Sequence, residues 1–559
     1  MPATGMKFET LRFQTTAVKD LAPLKNIRSF RTAISKTPKT SQYFREVATL
    51  ERWNGVPAKD MPLQAIECKV TTAWDNGLDV SEADENQRQA GDRGVEVTDR
   101  ITSGWATLFC RCIAWLLLIV FPLRVYAQPK AKLDPKWYER VAILPADEQV
   151  RAVTAKMTEL NIGFNVPLQH KIEDGAVVEV TFSSDYVSNL APIRAFAKLK
   201  KLDCSGSNKI ADLSPLRGLK LTEFRCNKTP LLSDLGPLKG MPLVVIEADS
   251  SAVASLTPLE KMTTLRELKL NYARKITDLK PLEGLPLTVL GVSDAAGVRD
   301  LSPLRGMSLT HLNVDGSNVA DLSPLKAMQL ENLYLLGTKV TNFAVIKSMP
   351  IKSMSLPRVS EAELKDLFKS MPIENLAIHD AVGLTDLSIF AGKKLKTLHV
   401  AGGQFTDLKA LEGMPIWSLY LDNCPRLADA SLANKMPLKS LVLRGSAIKE
   451  LPSLAHMKLT RLDVSGCRNL KSIKAVEGAT IDEMSIESTA VADLTPIASV
   501  KAMTEFYCRK TLVKDFSALK SSTVIRLWCD IKGPKDIAAL KEVKTLKRIN
   551  DKPVAEVLK

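Results

Sequence analysis

The feature that most limits how this chain can fold is a pattern that returns every 21 or 22 residues. Its leading apolar position falls at Leu199, Leu221, Leu243, Leu265, Leu287, Leu309, Leu330 and Ile351. It continues at Ile373, Leu395, Ile416, Leu438, Leu459, Ile481, Met503 and Val524, which makes sixteen units in register. A chain of 559 residues would ordinarily divide into several globular domains, but short repeats stack into one elongated body instead.

One unit shows the logic. In "LTHLNVDGSNVADLSPLKAM", Leu309 to Met328, the opening alternates with period 2. That predicts a short strand with Leu312 and Val314 inward and His311, Asn313 and Asp315 outward. Further on, Ser323 is placed to cap and Pro324 to open a helical or 3-10 turn, where its missing N–H and fixed φ do no harm. Leu309, Leu312, Val314, Val319, Leu322, Leu325 and Met328 then share one side, and a single unit cannot bury them. Stacked neighbours can, with parallel strands about 4.8 Å apart. The expected fold is an α/β solenoid: a curved array with a parallel concave sheet, short helical or 3-10 turns on the convex side, and helical caps.

These motifs resemble the leucine-rich repeat family, and the "DLSPLKxM" half is similar to the 22-residue class of internalins and of a regulatory subunit of protein phosphatases. The resemblance spans Val177 to about Ile549. It implies a non-enzymatic scaffold for protein–protein recognition through the concave face. The regular asparagine after the strand is missing, and Ser207, Thr229, Ser251, Ser317, Thr338, Cys424, Ser446, Cys467 and Thr489 stand in that neighbourhood. Hydroxyls and thiols would have to fill the hydrogen-bonding role of the turn.

The array is expected over 177–530, about 16 to 17 units. Residues 128–176 form an N-terminal cap: Val150, Val153, Met157 and Leu160 recur at helical spacing, and Asp174-Gly175 between apolar runs signals a hairpin. Residues 531–559 form the C-terminal cap, beginning with a helix in "PKDIAALKEVKTLKRINDKP". One unit breaks form. In "SEAELKDLFKSM" from Ser360, the Ser360–Glu363 spacing is that of a capping box, with Leu364, Leu367 and Met371 on one side, so a true helix replaces the usual turn.

The region before the array raises a separate problem. "VKDLAPLK" at Val18 to Lys25 matches "VKDFSALK" at Val513 to Lys520, and Arg45 to Pro57 follows as Lys541 to Pro553 does. Residues 1–62 therefore resemble a second, isolated C-terminal cap, and 63–104 read as a polar linker. At 105–127, "WATLFCRCIAWLLLIVFPLRVYA" is interrupted by Arg111, Pro122 and Arg124, too soon for a full bilayer span. Its positive flank, apolar stretch and Val125-Tyr126-Ala127 fit a secretory signal cleaved before Gln128. An uncleaved signal anchor and a buried core element remain open. Expected locations are accordingly exported, periplasmic or cell surface, or anchored at the inner membrane through 105–127.

Chemistry is sparse. The net charge is +15, but acids and bases alternate along the array, which disfavours nucleic acid as a partner because phosphate tracking needs charge gathered on one face. No phosphate-binding loop, nucleophile elbow, zinc helix or kinase set occurs, so no catalytic residue, metal or cofactor is expected. Cys204, Cys226, Cys508 and Cys529 occupy inward strand positions and read as small core residues. What remains is the outward face. Tyr334, His379, His399, Tyr420, Arg444, Arg461, Tyr507, Arg509, Arg526 and Trp528 project from it and are the residue types that anchor protein interfaces. Arg225 and Lys269 lie on the same face. Two rival functions use the same features: an envelope or polysaccharide surface binder, and a regulator acting on a kinase or phosphatase.

Overall fold

The structure, a computed structural model, describes residues 133–558 together with the backbone of Arg52–Trp53 and Val56–Pro57. The chain divides into two units, 1–124 and 125–559. Apart from those four residues, the cap-like fragment, the linker and the apolar segment 105–127 lie outside the described residues. Among the described residues, no helix is long and apolar enough to cross a membrane.

The second unit is organised around one sheet. Its first two strands, β1 (Gln169–Glu173) and β2 (Ala176–Thr181), form an antiparallel hairpin that turns at Asp174 and Gly175, both at positive φ. Asp-Gly suits a turn that demands left-handed backbone at both central positions. Sixteen parallel strands follow, from β3 (Lys201–Asp203) to β18 (Arg526–Trp528), one for each unit counted in the sequence. Every strand pairs with its sequence neighbours. β19 (Arg548–Ile549) and β20 (Lys552–Pro553) close the series as an antiparallel pair. Because β1 pairs only with β2 and β20 only with β19, the sheet is open.

Burial follows the period-2 pattern. Leu309, Leu312, Val314, Val319, Leu322, Leu325 and Met328 are all buried, and the corresponding side chains of every unit join one continuous core. Most units turn back through a 3-10 segment such as Ser323–Leu325. Its cap is not Ser323, as the spacing suggested, but Asp321. The Asp321 Oδ1 accepts from the Ser323 N–H at 2.8 Å and Oδ2 accepts from the Ser323 hydroxyl at 2.6 Å. The serine already lies inside the turn, so the group that satisfies its exposed N–H must come from two residues earlier. Asp234, Asp278, Asp300, Asp386, Asp407, Asp493 and Asp515 do the same in their units, which explains the aspartate of the motif.

At the turn after the strand, hydroxyls close the chain locally. Thr229, Thr338, Ser446, Thr489 and Thr511 each donate to the carbonyl three residues back, at 2.6–2.8 Å. The buried hydroxyls of Ser251 and Ser317 lack a partner. A left-handed residue recurs in this turn, and at Gly316 (φ +68°) only glycine fits, since a Cβ would stand 2.6 Å from Asp294 Oδ1 and 3.2 Å from its Cα.

The ends and the irregular unit complete the body. α1 (Pro135–Ala142) and α2 (Ala146–Leu160) bury Val141, Val150, Val153 and Met157 against the first turn of the array. α3 (Glu361–Leu367) carries the capping box: the Ser360 hydroxyl accepts from the Glu363 N–H, and the Glu363 carboxylate accepts from the Ser360 N–H. α4 (Pro534–Lys541) and α5 (Val554–Val557) flank the β19–β20 hairpin. In the first unit, Arg52 pairs with Pro57 and Trp53 with Val56, as Arg548 pairs with Pro553 and Ile549 with Lys552. The two aligned segments share one hairpin register.

Candidate functional site

Parallel pairing without register shifts lines up the outward side chains in rows that cross the strands. One row reads Asn332, Ser353, Asn375, Thr397, Ser418, Ser440, Arg461, Glu483, Glu505, Arg526. The next reads Tyr334, Ser355, Ala377, His399, Tyr420, Val442, Asp463, Ser485, Tyr507, Trp528. Nine of the ten sequence-predicted residues therefore fall into two groups, and Arg461 lies on a strand between them.

The central group holds Tyr334, His379, His399, Tyr420 and Arg444. β9 (Asn332–Tyr334) and β12 (Thr397–Ala401) set Tyr334 and His399 three strand spacings apart, roughly 14 Å. Between them β10 (Ser353–Leu356) and β11 (Asn375–Ile378) offer only Ser355 and Ala377 in that row. The result is an open hollow of about 460 Å³ whose lining includes Tyr334, Asn375, Thr397, His399, Tyr420, Asp422, Arg444 and Arg461. His379 stands edge-on to His399 with ring centroids 4.8 Å apart, and Tyr420 lies 5.7 Å beyond. β13 (Ser418–Asp422) is long enough to carry Asp422 alongside Ala401, and its Oδ2 sits 2.8 Å from His399 Nε2. Burial, reinforced by the neighbouring His399, holds the His379 imidazole below its ordinary range.

Behind this wall lies a chain of charges. Arg444 Nε donates to Asp463 Oδ2 at 2.7 Å, and Arg461 reaches both Asp463 (3.2 Å) and Glu483 (3.2 Å). Burial pushes the Asp463 carboxyl up, yet the hydrogen bonds from Ser465 and the charge of Arg444 outweigh it and hold the group below the usual range. Two buried polar atoms are left over: Asp422 Oδ1 and Arg461 Nε have no hydrogen-bond partner. Arg444 Nη1 lies 3.7 Å from that Asp422 oxygen, too far for a bond.

The second group holds Tyr507, Arg509, Arg526 and Trp528. Tyr507 stacks on Trp528 with centroids 4.1 Å apart and planes 8° from parallel. The Tyr507 hydroxyl donates to Glu505 at 2.7 Å, and Trp528 Nε1 donates to Asp551 at 3.2 Å. Arg526 pairs with Glu505, and Arg509 donates to Asn550 Oδ1. Trp528 departs from expectation. It is only 9% exposed, because Tyr507 covers one face and the turn of the β19–β20 hairpin meets its edge. Tyr507 is the accessible member of the pair.

The residues missed from sequence were Asn375 and Asp463, and the small Ser355 and Ala377 that make the hollow; Asp422, one strand beyond His399, is readable from the spacing alone. Aligning the units strand by strand, instead of seeking aromatics, would have exposed all four. Cys204, Cys226, Cys508 and Cys529 are buried and free, the first two with sulfurs 3.2 Å apart. Among the described residues, no group of three His, Cys, Asp or Glu is placed to hold a metal ion.

No family model and no curated protein matches this chain. Solved structures similar to it are internalins of Listeria monocytogenes. For internalin InlF the identity is 18% and the TM-score 0.31, covering 73% of this chain and 98% of that one. For the functional domain of InlJ, described as including a cysteine ladder, they are 16% and 0.29, covering 64% and 74%. For internalin C2 they are 18% and 0.21, covering 48% and 92%. The repeat architecture rests on this chain's own register: one strand and one turn per unit, with a 3-10 return in most, the organisation of a leucine-rich repeat solenoid.

Proposed function

We propose that this is a non-enzymatic recognition scaffold that captures a protein partner on the C-terminal third of its sheet face. The observation that carries this is the Tyr507–Trp528 stack. It is a flat aromatic platform held by hydrogen bonds at both ends, with Arg461, Arg509 and Arg526 around it. Tyrosine and arginine on a rigid support bind with little entropy to lose, which is what makes anchors of protein interfaces. The small Ser485 lies beside Tyr507 in the same row on the side away from Trp528, leaving room for a partner's side chain.

Export accords with this role, through a signal at 105–127 cleaved before Gln128, and residues 6–60 are a second copy of the closing cap. N-terminal sequencing of the mature protein checks export, with Gln128 as the expected first residue. Binding is checked by cross-linking full-length protein in cells and comparing it with a Tyr507→Ala, Arg526→Glu variant. One defined partner should be captured by the parent and lost from the variant. Equal capture by both excludes this patch.

A further inference from the structure

The central hollow is chemically unlike the rest of the face. From Asn332 to Ser440, six consecutive strands present uncharged, hydrogen-bonding side chains in one row: Asn, Ser, Asn, Thr, Ser, Ser. After this run the face is charged, with Arg461 and Glu483 next in the row; before it come His311 and Val289, and only then the charged Glu267 and Lys269. The large apolar side chains that remain exposed, such as Leu231, Tyr272, Trp417 and Leu512, lie elsewhere, and none lines the hollow.

Three features together select a ligand class. Tyr334, His399 and Tyr420 line the walls, and aromatic rings suit a flat C–H surface. The floor offers amides and hydroxyls, of which Asn375 already donates to Ser353 Oγ at 3.0 Å and keeps its carbonyl oxygen to accept. At the far wall, Asp422 Oδ1 is an unsatisfied buried acceptor with the Arg444 guanidinium 3.7 Å away. A single atom that both donates and accepts would bridge them, donating to Asp422 and accepting from Arg444. A hydroxyl does this; an aliphatic, aromatic or carboxylate group does not, and the last would be repelled by Asp422.

We infer that the hollow bounded by Tyr334 and Tyr420 is a binding site for a neutral oligosaccharide, whose ring faces lie on the aromatics and one of whose hydroxyls bridges Asp422 and Arg444. Its volume falls within the range of ordinary ligand sites. The inference is separate from the protein-binding proposal, which uses Tyr507 and Arg526.

The test is titration of the full-length chain with cellotetraose, chitotetraose, maltotetraose and, as an acidic control, tetragalacturonate, read by calorimetry and by saturation-transfer NMR. At least one neutral tetrasaccharide should bind saturably and more tightly than the acidic one. Asp422→Ala and Tyr420→Ala should each weaken it tenfold or more, and Tyr507→Ala should leave it unchanged. Ala377→Trp, a surface change that fills the slot without touching the core, should abolish binding and guards against a misfolded Tyr420 variant. No saturable binding by any neutral sugar, preference for the acidic one, or binding that survives Ala377→Trp would overturn the site. Loss of protein capture in Ala377→Trp without any sugar binding would also overturn it and assign the hollow to the protein partner.

Discussion

The face of the sheet from β2 to β6 (Glu267–Lys269) and the face from β9 to β18 are built on the same backbone and spend their side chains differently. In the first, Lys201 pairs with Glu223 on the adjoining strand at 2.8 Å and Lys269 with Glu247 at 3.0 Å, while Arg225 is shared between Glu223 of its own strand at 2.7 Å and Glu247 of the next at 3.4 Å, so each charge is taken within the sheet. Glu247 illustrates the balance: burial raises its carboxyl, but Lys269 and Asn227 bring it below the ordinary range. Such pairs are worth at most about 1 kcal/mol each, but they leave no charge over for a ligand. In the second region β10 to β13 run to four or five residues, rings stand on the face from Tyr334 to Tyr420 before ion pairs return from Arg444 onward, and Asp422 Oδ1 and Arg461 Nε go unsatisfied. The regular repeats neutralise their own charges, and the unpaired polar atoms of the face collect where the period falters.

If that contrast is confined to the surface, the core must not know of it. Leu312 and Leu441 are both fully buried, at equivalent strand positions in a regular and an irregular unit. Leu312→Ala and Leu441→Ala should each cost about 2–5 kcal/mol of stability and differ from one another by less than that spread. Urea unfolding followed by circular dichroism measures both; a much smaller loss at Leu441 would mean that the irregular half is loosely packed. The next effect belongs to one region only. Ser360→Ala removes the capping box of α3, which the regular units lack, and should cost about 1 kcal/mol. Amide hydrogen exchange should show faster exchange in 361–371 with the units before Leu330 unaffected, because stability in a stack of repeats couples nearest neighbours.

Much of this was legible in the chain. The sixteen leading positions gave one strand each, because period-2 alternation and a 22-residue period leave a stacked unit no other way to hide its leucines. Ser360 and Glu363 announced α3 because a capping box is a local device that needs no tertiary context. The capping aspartate was misassigned to Ser323 because the rule for α-helices was applied to a 3-10 turn whose first residue already lies one position earlier. Trp528 stands on the outward face as its strand position predicts, but its low exposure is not legible, because the covering edge comes from Asp551, in a hairpin whose two-residue strands carry no periodic signal. The hollow was not seen at all, since it is made by small residues, Ser355 and Ala377, whose significance exists only once the register puts them between Tyr334 and His399.

The smallest expected effect separates the two regions by pH. His311, paired in register with Val289 and Asn332, faces Lys269, Glu267 and the Tyr334 ring; His379 faces His399 and Asp422. Burial lowers the imidazole of each, with Lys269 adding to it at the first and His399 at the second. A folded pKa below the unfolded value of about 6.5 means that the unfolded chain takes up protons first. Their contribution is therefore complete above that value and is lost as pH falls through the lower folded value. Asp249, Asp315 and Glu487, raised by burial, act with the opposite sign. Thermal midpoints should fall between pH 7.5 and pH 5.5 in the parent and fall less in His311→Asn, His379→Asn. The single variants apportion the drop. A drop that follows His379 alone would place the sensitivity at the wall of the hollow. An equal drop in the double variant would remove both histidines from the account.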